Sequence, residues 1–281
     1  MAILKKSMLT LLFFAVPTVS LANIFGPDPR IPILPTSQDH FKLVSVSVPG
    51  IEKCSGAFIG PNLVLTAAHC VLGAFSNPQV STPDHLVPNA PHRSLDVLYG
   101  YYANHAEKVG SVKSAYLGLS SMTHYETEYP HDIAILVLTR TIGKSSGSLP
   151  FSQDPRDLQP MEQNLTISAY DLYEWAPDSR GHSTAVFNQS MNHGCSIRSQ
   201  RPDLEGVFFH DCATERGASG APLLVCEQDQ PCRIIALHIG EQRNGGETSL
   251  KLPAYSDDYA NYAISVSMAK AWLEKIISVH H

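Results

Sequence analysis

The sequence contains 281 residues, 43% of them hydrophobic and 16% charged, with a formal net charge of -6. This balance is typical of a globular chain and excludes extended disorder and a multi-spanning membrane protein. The acidic excess also argues against a nucleic-acid binder, because nucleic-acid phosphates select clustered Lys and Arg. We therefore expect no nucleic-acid partner.

Residues 1–22 have the composition of a signal peptide. Two lysines precede a short apolar run over 8–16, and small residues occupy the positions that signal peptidase requires. We expect cleavage before Asn23, which leaves 23–40 as an N-terminal segment and candidate propeptide. An uncleaved membrane anchor is the alternative. The pattern thus predicts a secreted or periplasmic protein without membrane attachment after cleavage.

The six cysteines predict three disulfides, because an exported chain reaches an oxidising compartment. A zinc site is the competing interpretation, but the chain shows neither a C-x-x-C pair nor a partnering H-x-x-x-H. We therefore expect no metal. The cysteines are Cys54, Cys70, Cys195, Cys212, Cys226 and Cys232.

Short apolar runs with period two, bounded by Gly, Pro and Asn, recur along most of the chain and predict antiparallel strands. They cover 43–48, 57–59, 98–102, 133–138, 165–168, 207–210, 223–226 and 234–238. An amphipathic helix follows at 268–277, with Ser265 or Ser267 as its N-cap.

Polar and turn-forming residues at 145–163 predict a boundary between two units. The first unit is then 41–150, and the second is 151–281 including the helix. The stretch at 73–94 is rich in Pro, Ser, Asn and His and predicts a long surface loop inside the first unit.

The first candidate catalytic residue is His69, at the end of Leu-Thr-Ala-Ala-His-Cys. A cystine between Cys54 and Cys70 would join two strands beside it, and the small residues before His69 leave room for an imidazole. A histidine without function is the alternative, since the chain has thirteen.

Asp132 is the second candidate, at the start of the apolar run Ile-Ala-Ile-Leu. A buried carboxylate there can accept the proton-bearing nitrogen of an imidazole and stabilise the imidazolium. A turn residue at a strand edge is the alternative.

Ser219 is the third candidate, within Arg-Gly-Ala-Ser-Gly-Ala-Pro. Gly217 and Gly220 permit backbone conformations in which the N–H groups of Gly217 and Ser219 point together at an oxyanion. An α/β-hydrolase would instead need Gly-x-Ser-x-Gly, and Ala221 at the last position excludes it.

In the order His69, Asp132, Ser219, these segments resemble those of trypsin-like serine proteases. The resemblance extends from Leu43 to the C-terminal helix. It implies an all-β fold of two perpendicular, antiparallel six-stranded β-barrels of the chymotrypsin type, with the triad in the cleft between them. It also implies a serine endopeptidase that cleaves protein or peptide substrates through an acyl-enzyme, without metal or organic cofactor.

Within this family the chain is most similar to the bacterial glutamyl endopeptidase, or V8-like, branch. The similar features are Ile33-Leu34-Pro35, the Gly217-Ala218-Ser219-Gly220 loop, Thr214, and the run at 234–240. The branch holds an acidic side chain with a histidine and a threonine, so the resemblance assigns substrate binding to Thr214, His238, Ile239 and Gly240. A strand histidine shared with relatives of other specificity is the alternative for His238.

Two residues depart from the resemblance. Glu241 stands where the branch commonly has a glycine, and its charge near the pocket entrance would disfavour an acidic substrate. Ala218 replaces the aspartate with which many trypsin-like enzymes receive a newly freed ammonium. We therefore expect activity without cleavage after Arg30, although Arg30-Ile31 is similar to a trypsin-type activation site.

The resemblance pairs Cys54 with Cys70, and favours Cys195 with Cys212 and Cys226 with Cys232 over a pairing of Cys212 with Cys226. A catalytically silent protein of this fold, acting as a secreted binding or adhesive module, is the alternative function. No residue pattern fixes the oligomeric state, and we expect a monomer.

Overall fold

The computed structural model describes residues 23–33, 42–48, 53–102, 105–123, 129–142, 147–152, 158, 161–177, 183–227, 230–242 and 251–280. The predicted signal peptide, part of the 23–40 segment and part of the predicted boundary at 145–163 lie outside these ranges. Among the described residues, no helix combines the length and apolarity needed to cross a bilayer.

The described residues form fifteen β-strands and one α-helix. The strands are β1 (Ile24–Phe25), β2 (Ile31–Pro32), β3 (Leu43–Ser47), β4 (Lys53–Gly60), β5 (Leu63–Thr66), β6 (Asp96–Tyr102), β7 (His105–Leu117), β8 (Ala134–Leu138), β9 (Met161–Pro177), β10 (Ser183–Gln200), β11 (Val207–His210), β12 (Pro222–Val225), β13 (Arg233–Glu241), β14 (Lys251–Leu252) and β15 (Asn261–Ser265). The helix is α1 (Lys270–His280).

Six antiparallel strands close the first barrel in the order β3-β4-β5-β8-β7-β6, with β6 pairing back onto β3. Its core contains fully buried aliphatic residues such as Val44, Val64 and Leu136. Strands β5 and β8 pair with Thr66 opposite Ala134. The chain leaving β5 and the chain entering β8 therefore lie side by side, and they carry His69 and Asp132.

The second barrel also has six antiparallel strands, in the order β11-β15-β13-β12-β9-β10, and the pairing of β10 with β11 closes it. Strand β2 adds to the outer side of β10. The fold of two six-stranded barrels and a C-terminal helix that the resemblance implied is confirmed.

The hairpin of β9 and β10 is much longer than the sequence predicted, since only 165–168 was expected as a strand. Polar residues inside the hairpin explain the difference. Asp171, Gln189 and Ser190 are buried, so the alternation of apolar and polar residues that marks a strand is broken there.

The predicted helix at 268–277 is correct in place and shifted in its bounds. A 3₁₀ turn at Val266–Ala269 precedes α1, and the Ser265 hydroxyl accepts from the Ser267 N–H at 3.1 Å, which makes Ser265 the cap of that turn. The apolar face of α1 buries Trp272, Leu273 and Ile276.

Residues 23–33 pack on the second barrel. Strand β1 pairs parallel with β14, and β2 pairs with β10. Asn23 is buried, and its backbone N–H donates to Asn261 Oδ1 at 3.1 Å. The start of the predicted N-terminal segment is therefore an integral part of the folded unit.

All six cysteines are paired, as Cys54–Cys70, Cys195–Cys212 and Cys226–Cys232. The first disulfide joins β4 to the segment after β5. The alternative pairing of Cys212 with Cys226 is wrong.

The loop before β12 packs closely against the first barrel at Gly220. Its φ is +81°, and a Cβ there would lie 2.3 Å from the Ser55 carbonyl oxygen and 2.4 Å from Thr66 Oγ1. Gly147 has a similar φ of +77°, but a Cβ there would meet only the Lys42 side chain, at 3.8 Å.

We expect Gly147→Ala to lower the free energy of unfolding by about 1–2 kcal/mol, from backbone strain alone. Gly220→Ala should cost a further ~1–3 kcal/mol, because it adds a clash with backbone. Urea denaturation of both variants measures the difference. Equal losses would show that the loop is not held against the first barrel as described.

Candidate active site

His69 and Asp132 are held together by two hydrogen bonds. The Asp132 carboxylate accepts the His69 backbone N–H at 2.8 Å and lies 2.6 Å from Nδ1 of the same residue. Asp132 is completely buried, whereas 13% of the His69 side chain is exposed. Because a carboxylate only accepts, it fixes the proton of neutral His69 on Nδ1 and leaves Nε2 as an acceptor.

The pKa of the His69 imidazole is raised above its ordinary value of 6.5. Burial alone lowers it, but the charge and hydrogen bond of Asp132 outweigh burial, and the charge of Glu241 adds to them. The neighbourhood thus strengthens His69 as a base.

His69 and Ser219 both lie against the Cys54–Cys70 disulfide. Cys70 Sγ is 3.5 Å from His69 Nε2 and 3.7 Å from the Ser219 carbonyl oxygen. The same carbonyl oxygen accepts the backbone N–H of Ser55 at 2.8 Å. The three residues that the sequence proposed as a triad are therefore brought together, two from the first barrel and one from the second.

The backbone just before Ser219 is fixed by hydrogen bonds to its carbonyl groups. The Arg216 carbonyl accepts the Leu172 N–H at 2.8 Å, and the Gly217 carbonyl accepts the Ser55 hydroxyl at 2.8 Å. In a trans peptide the N–H points opposite to the carbonyl, so the N–H of Gly217 is directed away from Leu172. That N–H makes no hydrogen bond within the described part of the chain. Gly217 has φ +103°, which favours glycine.

Thr214 and His238 are both buried close to this loop. The His238 backbone donates to the Ala221 carbonyl at 2.9 Å, and its carbonyl accepts the Gly220 N–H at 2.7 Å. Thr214 Oγ1 is buried and finds no hydrogen-bond partner among the described residues.

The His238 ring is supported by a second histidine. Nε2 of His210 lies 3.1 Å from Nδ1 of His238, and the two rings meet edge to face. Burial lowers the pKa of His210 to about 3 and the pKa of His238 well below 6.5. Both rings are therefore neutral at physiological pH, and one donates its N–H to the other.

Ile239 and Gly240 continue β13 past His238. Ile239 is buried, and a Cβ at Gly240 would meet nothing within 4 Å, so the backbone there borders open space. The pairing of β13 with β15 shifts register between His238 and Gly240. Glu241 follows at the end of β13, near enough to His69 to raise the pKa of its ring.

The ligand atoms of Cys54, His69 and Cys70 lie within 4.8 Å of one another. Metals bind cysteine as a thiolate, and both sulfurs here are bonded in the Cys54–Cys70 disulfide. This cluster is therefore a disulfide that lies against the His69 ring.

Sequence reasoning missed the supporting roles of Ser55 and His210. Ser55 was visible beside Cys54, but its acceptor, the Gly217 carbonyl, is 162 residues away. His210 ends an apolar strand, and only the pairing of strands places it against His238.

A family model for trypsin matches residues 35–273. The chain belongs to the trypsin family. Among solved structures, it is similar to a Glu endopeptidase in complex with MPD, with 17% identity and a TM-score of 0.58 over 91% of this chain and 98% of that one. It is also similar to neuropsin, a serine protease expressed in the limbic system of mouse brain, with 14% identity and a TM-score of 0.58 over 88% and 98%.

At these identities the two structures share the fold of this trypsin-family chain. No match to a curated protein was found. The assignment to the family therefore depends on the family model, with which the barrels and the site geometry agree.

The raised pKa of His69 predicts the pH dependence of a reaction in which neutral His69 is the base. The ratio kcat/KM should rise with pH through an apparent pKa above 6.5, because the protonated ring cannot accept a proton. Glu241→Gln should lower that apparent pKa, since it removes a negative charge that stabilises the imidazolium.

Glu227→Gln is the matched control, because Glu227 is exposed and pairs with Arg233. pH profiles of the parent and both variants on one neutral peptide substrate make the comparison. An unchanged profile for Glu241→Gln would contradict the described proximity of Glu241 to His69.

Proposed function

We propose that the protein is a serine endopeptidase, secreted or periplasmic, that cleaves protein or peptide substrates through an acyl-enzyme. The observation that supports it best is the buried Asp132 carboxylate, which accepts both the backbone N–H and the ring nitrogen of His69. This arrangement leaves the other ring nitrogen free of the carboxylate, and that nitrogen lies 3.5 Å from Cys70 Sγ, which in turn contacts the Ser219 carbonyl oxygen. The three disulfides suit an oxidising compartment.

In the proposed reaction, His69 Nε2 takes the hydroxyl proton of Ser219 while Oγ bonds to the scissile carbonyl carbon. The carbonyl oxygen becomes an oxyanion, which the N–H groups of Gly217 and Ser219 stabilise. His69 then returns the proton to the leaving amine as the C–N bond breaks. A water molecule repeats the cycle and releases the acid.

Asp132 supports both halves of this cycle. Its carboxylate holds the ring orientation and stabilises the imidazolium in the tetrahedral intermediate. Asp132 is buried away from water. The charge of its carboxylate therefore acts on the His69 imidazolium more strongly than it would at a surface.

Ser219→Ala should lower turnover by roughly 10⁴–10⁶-fold, because it removes the nucleophile. It should leave the unfolding free energy nearly unchanged, since one oxygen is lost. Ser81→Ala is a matched control: this serine is also buried, and its hydroxyl donates to the Val87 carbonyl at 2.9 Å. It should lose about 1 kcal/mol of stability and keep full activity.

Turnover and thermal melting of both variants are measured on the same substrate. Activity retained by Ser219→Ala would overturn the nucleophile assignment. A folded parent that cleaves no peptide in a diverse library would instead favour a silent binding module.

For specificity, we propose a preference for Glu or Asp before the cleaved bond. A carboxylate entering a partly dry pocket loses its hydration and must be met by donors. The buried Thr214 hydroxyl can donate, and so can His238 Nε2 when the His210 N–H donates to His238 Nδ1. In that tautomer His238 is neutral and still carries an N–H on Nε2.

His238→Ala should lower kcat/KM on substrates with Glu before the cleaved bond by roughly 10–100-fold, the value of one hydrogen bond to a charged group. Substrates with Ala there should change little. Glu241→Gly should raise the Glu-to-Ala ratio, because it removes a repelling charge from the end of β13.

Both variants and the parent are profiled on one peptide library. Equal losses on all substrates would make His238 a structural residue. A parent that prefers basic or aromatic residues would reject the acidic preference while leaving the peptidase proposal intact.

A further inference from the structure

Arg30 is a cation buried against the second barrel. Its side chain is 3% exposed, and its guanidinium makes two sets of charged contacts. Nη1 donates to Asp171 Oδ2 at 2.8 Å and to the Leu172 carbonyl at 3.0 Å. Nε and Nη2 donate to the two carboxylate oxygens of Asp28 at 2.9 and 2.8 Å.

Asp171 is completely buried, and it also accepts the Ser190 hydroxyl at 2.7 Å. Burial raises the pKa of Asp171 even with Arg30 beside it. Loss of the guanidinium would therefore leave a buried carboxyl group that is protonated or uncompensated. The strand segment around Asp171 depends on a side chain from the N-terminal segment 141 residues away.

The backbone segment that Arg30 contacts also contacts the loop that carries Ser219. The Leu172 N–H donates to the Arg216 carbonyl at 2.8 Å, on the peptide that carries the Gly217 N–H. The Tyr170 N–H donates to the Ser55 hydroxyl, which in turn donates to the Gly217 carbonyl, both at 2.8 Å. A Cβ at Gly217 would lie 2.6 Å from the Tyr170 carbonyl oxygen and 3.3 Å from Asp171 Cα.

The residue before Ser219 in this loop, Ala218, is uncharged. Ala218 is buried among apolar residues of the second barrel. The direction of the Gly217 N–H is therefore set by contacts with neighbouring backbone, and residues 170–172 make most of those contacts.

We infer that Arg30 is a positioning residue for the oxyanion hole. Its guanidinium fixes the carbonyl of Leu172 and the carboxylate of Asp171, and Leu172 then orients the 216–217 peptide towards the substrate. This inference rests on the proposed function and names how the N-terminal segment supports it. It follows that the intact segment belongs to the active enzyme, and that loss of Arg30 lowers activity.

Three variants of the full chain separate a positioning role from a stability role. Arg30→Met removes every hydrogen bond of the guanidinium and leaves Asp171 uncompensated. Arg30→Met combined with Asp171→Asn also removes the buried negative charge, so it should recover much of the melting temperature. Arg30→Lys keeps the cation, but one ammonium cannot contact Asp28, Asp171 and the Leu172 carbonyl in the same geometry. Arg233→Gln is the control, because it breaks a more exposed pair with Glu227.

We expect the double variant to keep a kcat about 10-fold or more below that of the parent, with KM within about twofold, since oxyanion stabilisation is lost in the transition state. Arg30→Lys should be intermediate, and Arg233→Gln should match the parent. The affinity for a peptide trifluoromethyl ketone, whose adduct places an oxyanion in the hole, should fall in step with kcat. The pKa of that adduct, read by ¹⁹F NMR, should rise.

A double variant that regains both melting temperature and kcat would overturn the inference and make Arg30 a structural residue only. An adduct pKa in the folded variants equal to that of the parent would overturn it as well. Failure of the proposed function looks different, because the parent itself would then neither turn over substrate nor form the adduct.

Discussion

The proposed active site depends on the fit of one loop from the second barrel against β4 of the first. The Ser55 N–H donates to the Ser219 carbonyl, and the Ser55 hydroxyl donates to the Gly217 carbonyl, each at 2.8 Å. Gly220 has no room for a side chain against the Ser55 carbonyl. The proposed base and its carboxylate come from one barrel and the proposed nucleophile from the other, so this contact sets their relative position.

Two buried aspartates support parts of the proposed site, and each is compensated differently. Asp132 accepts hydrogen bonds from His69 and strengthens it as a base. The charge of Asp171 is neutralised by the permanent charge of Arg30, and this pair supports the backbone of residues 170–172. In the proposed mechanism the first carboxylate stabilises a charge that appears during reaction, whereas the second needs a constant partner.

The features that could be predicted are those carried by residues close together in the sequence. Turn residues and alternating apolar runs predicted the strands, and the family resemblance implied the two barrels and the Cys54–Cys70 pair. The triad of His69, Asp132 and Ser219 stays a prediction. The long hairpin of β9 and β10 escaped prediction because buried polar residues interrupt its pattern. Arg30 was interpreted only as part of a candidate cleavage site, since no local pattern shows that its partner is Asp171. Ser55 and His210 were missed for the same reason, as their contacts exist only after distant strands have paired.

The central claim is that Ser219 is activated by His69, and covalent labelling tests it most directly. The folded protein is treated with a fluorophosphonate, and the adduct is located by mass spectrometry of its peptides. We predict a single adduct on Ser219, formed faster as pH rises through the pKa of His69, and formed very slowly in His69→Ala. A folded protein that remains unlabelled, or that is labelled at another residue, would contradict the account.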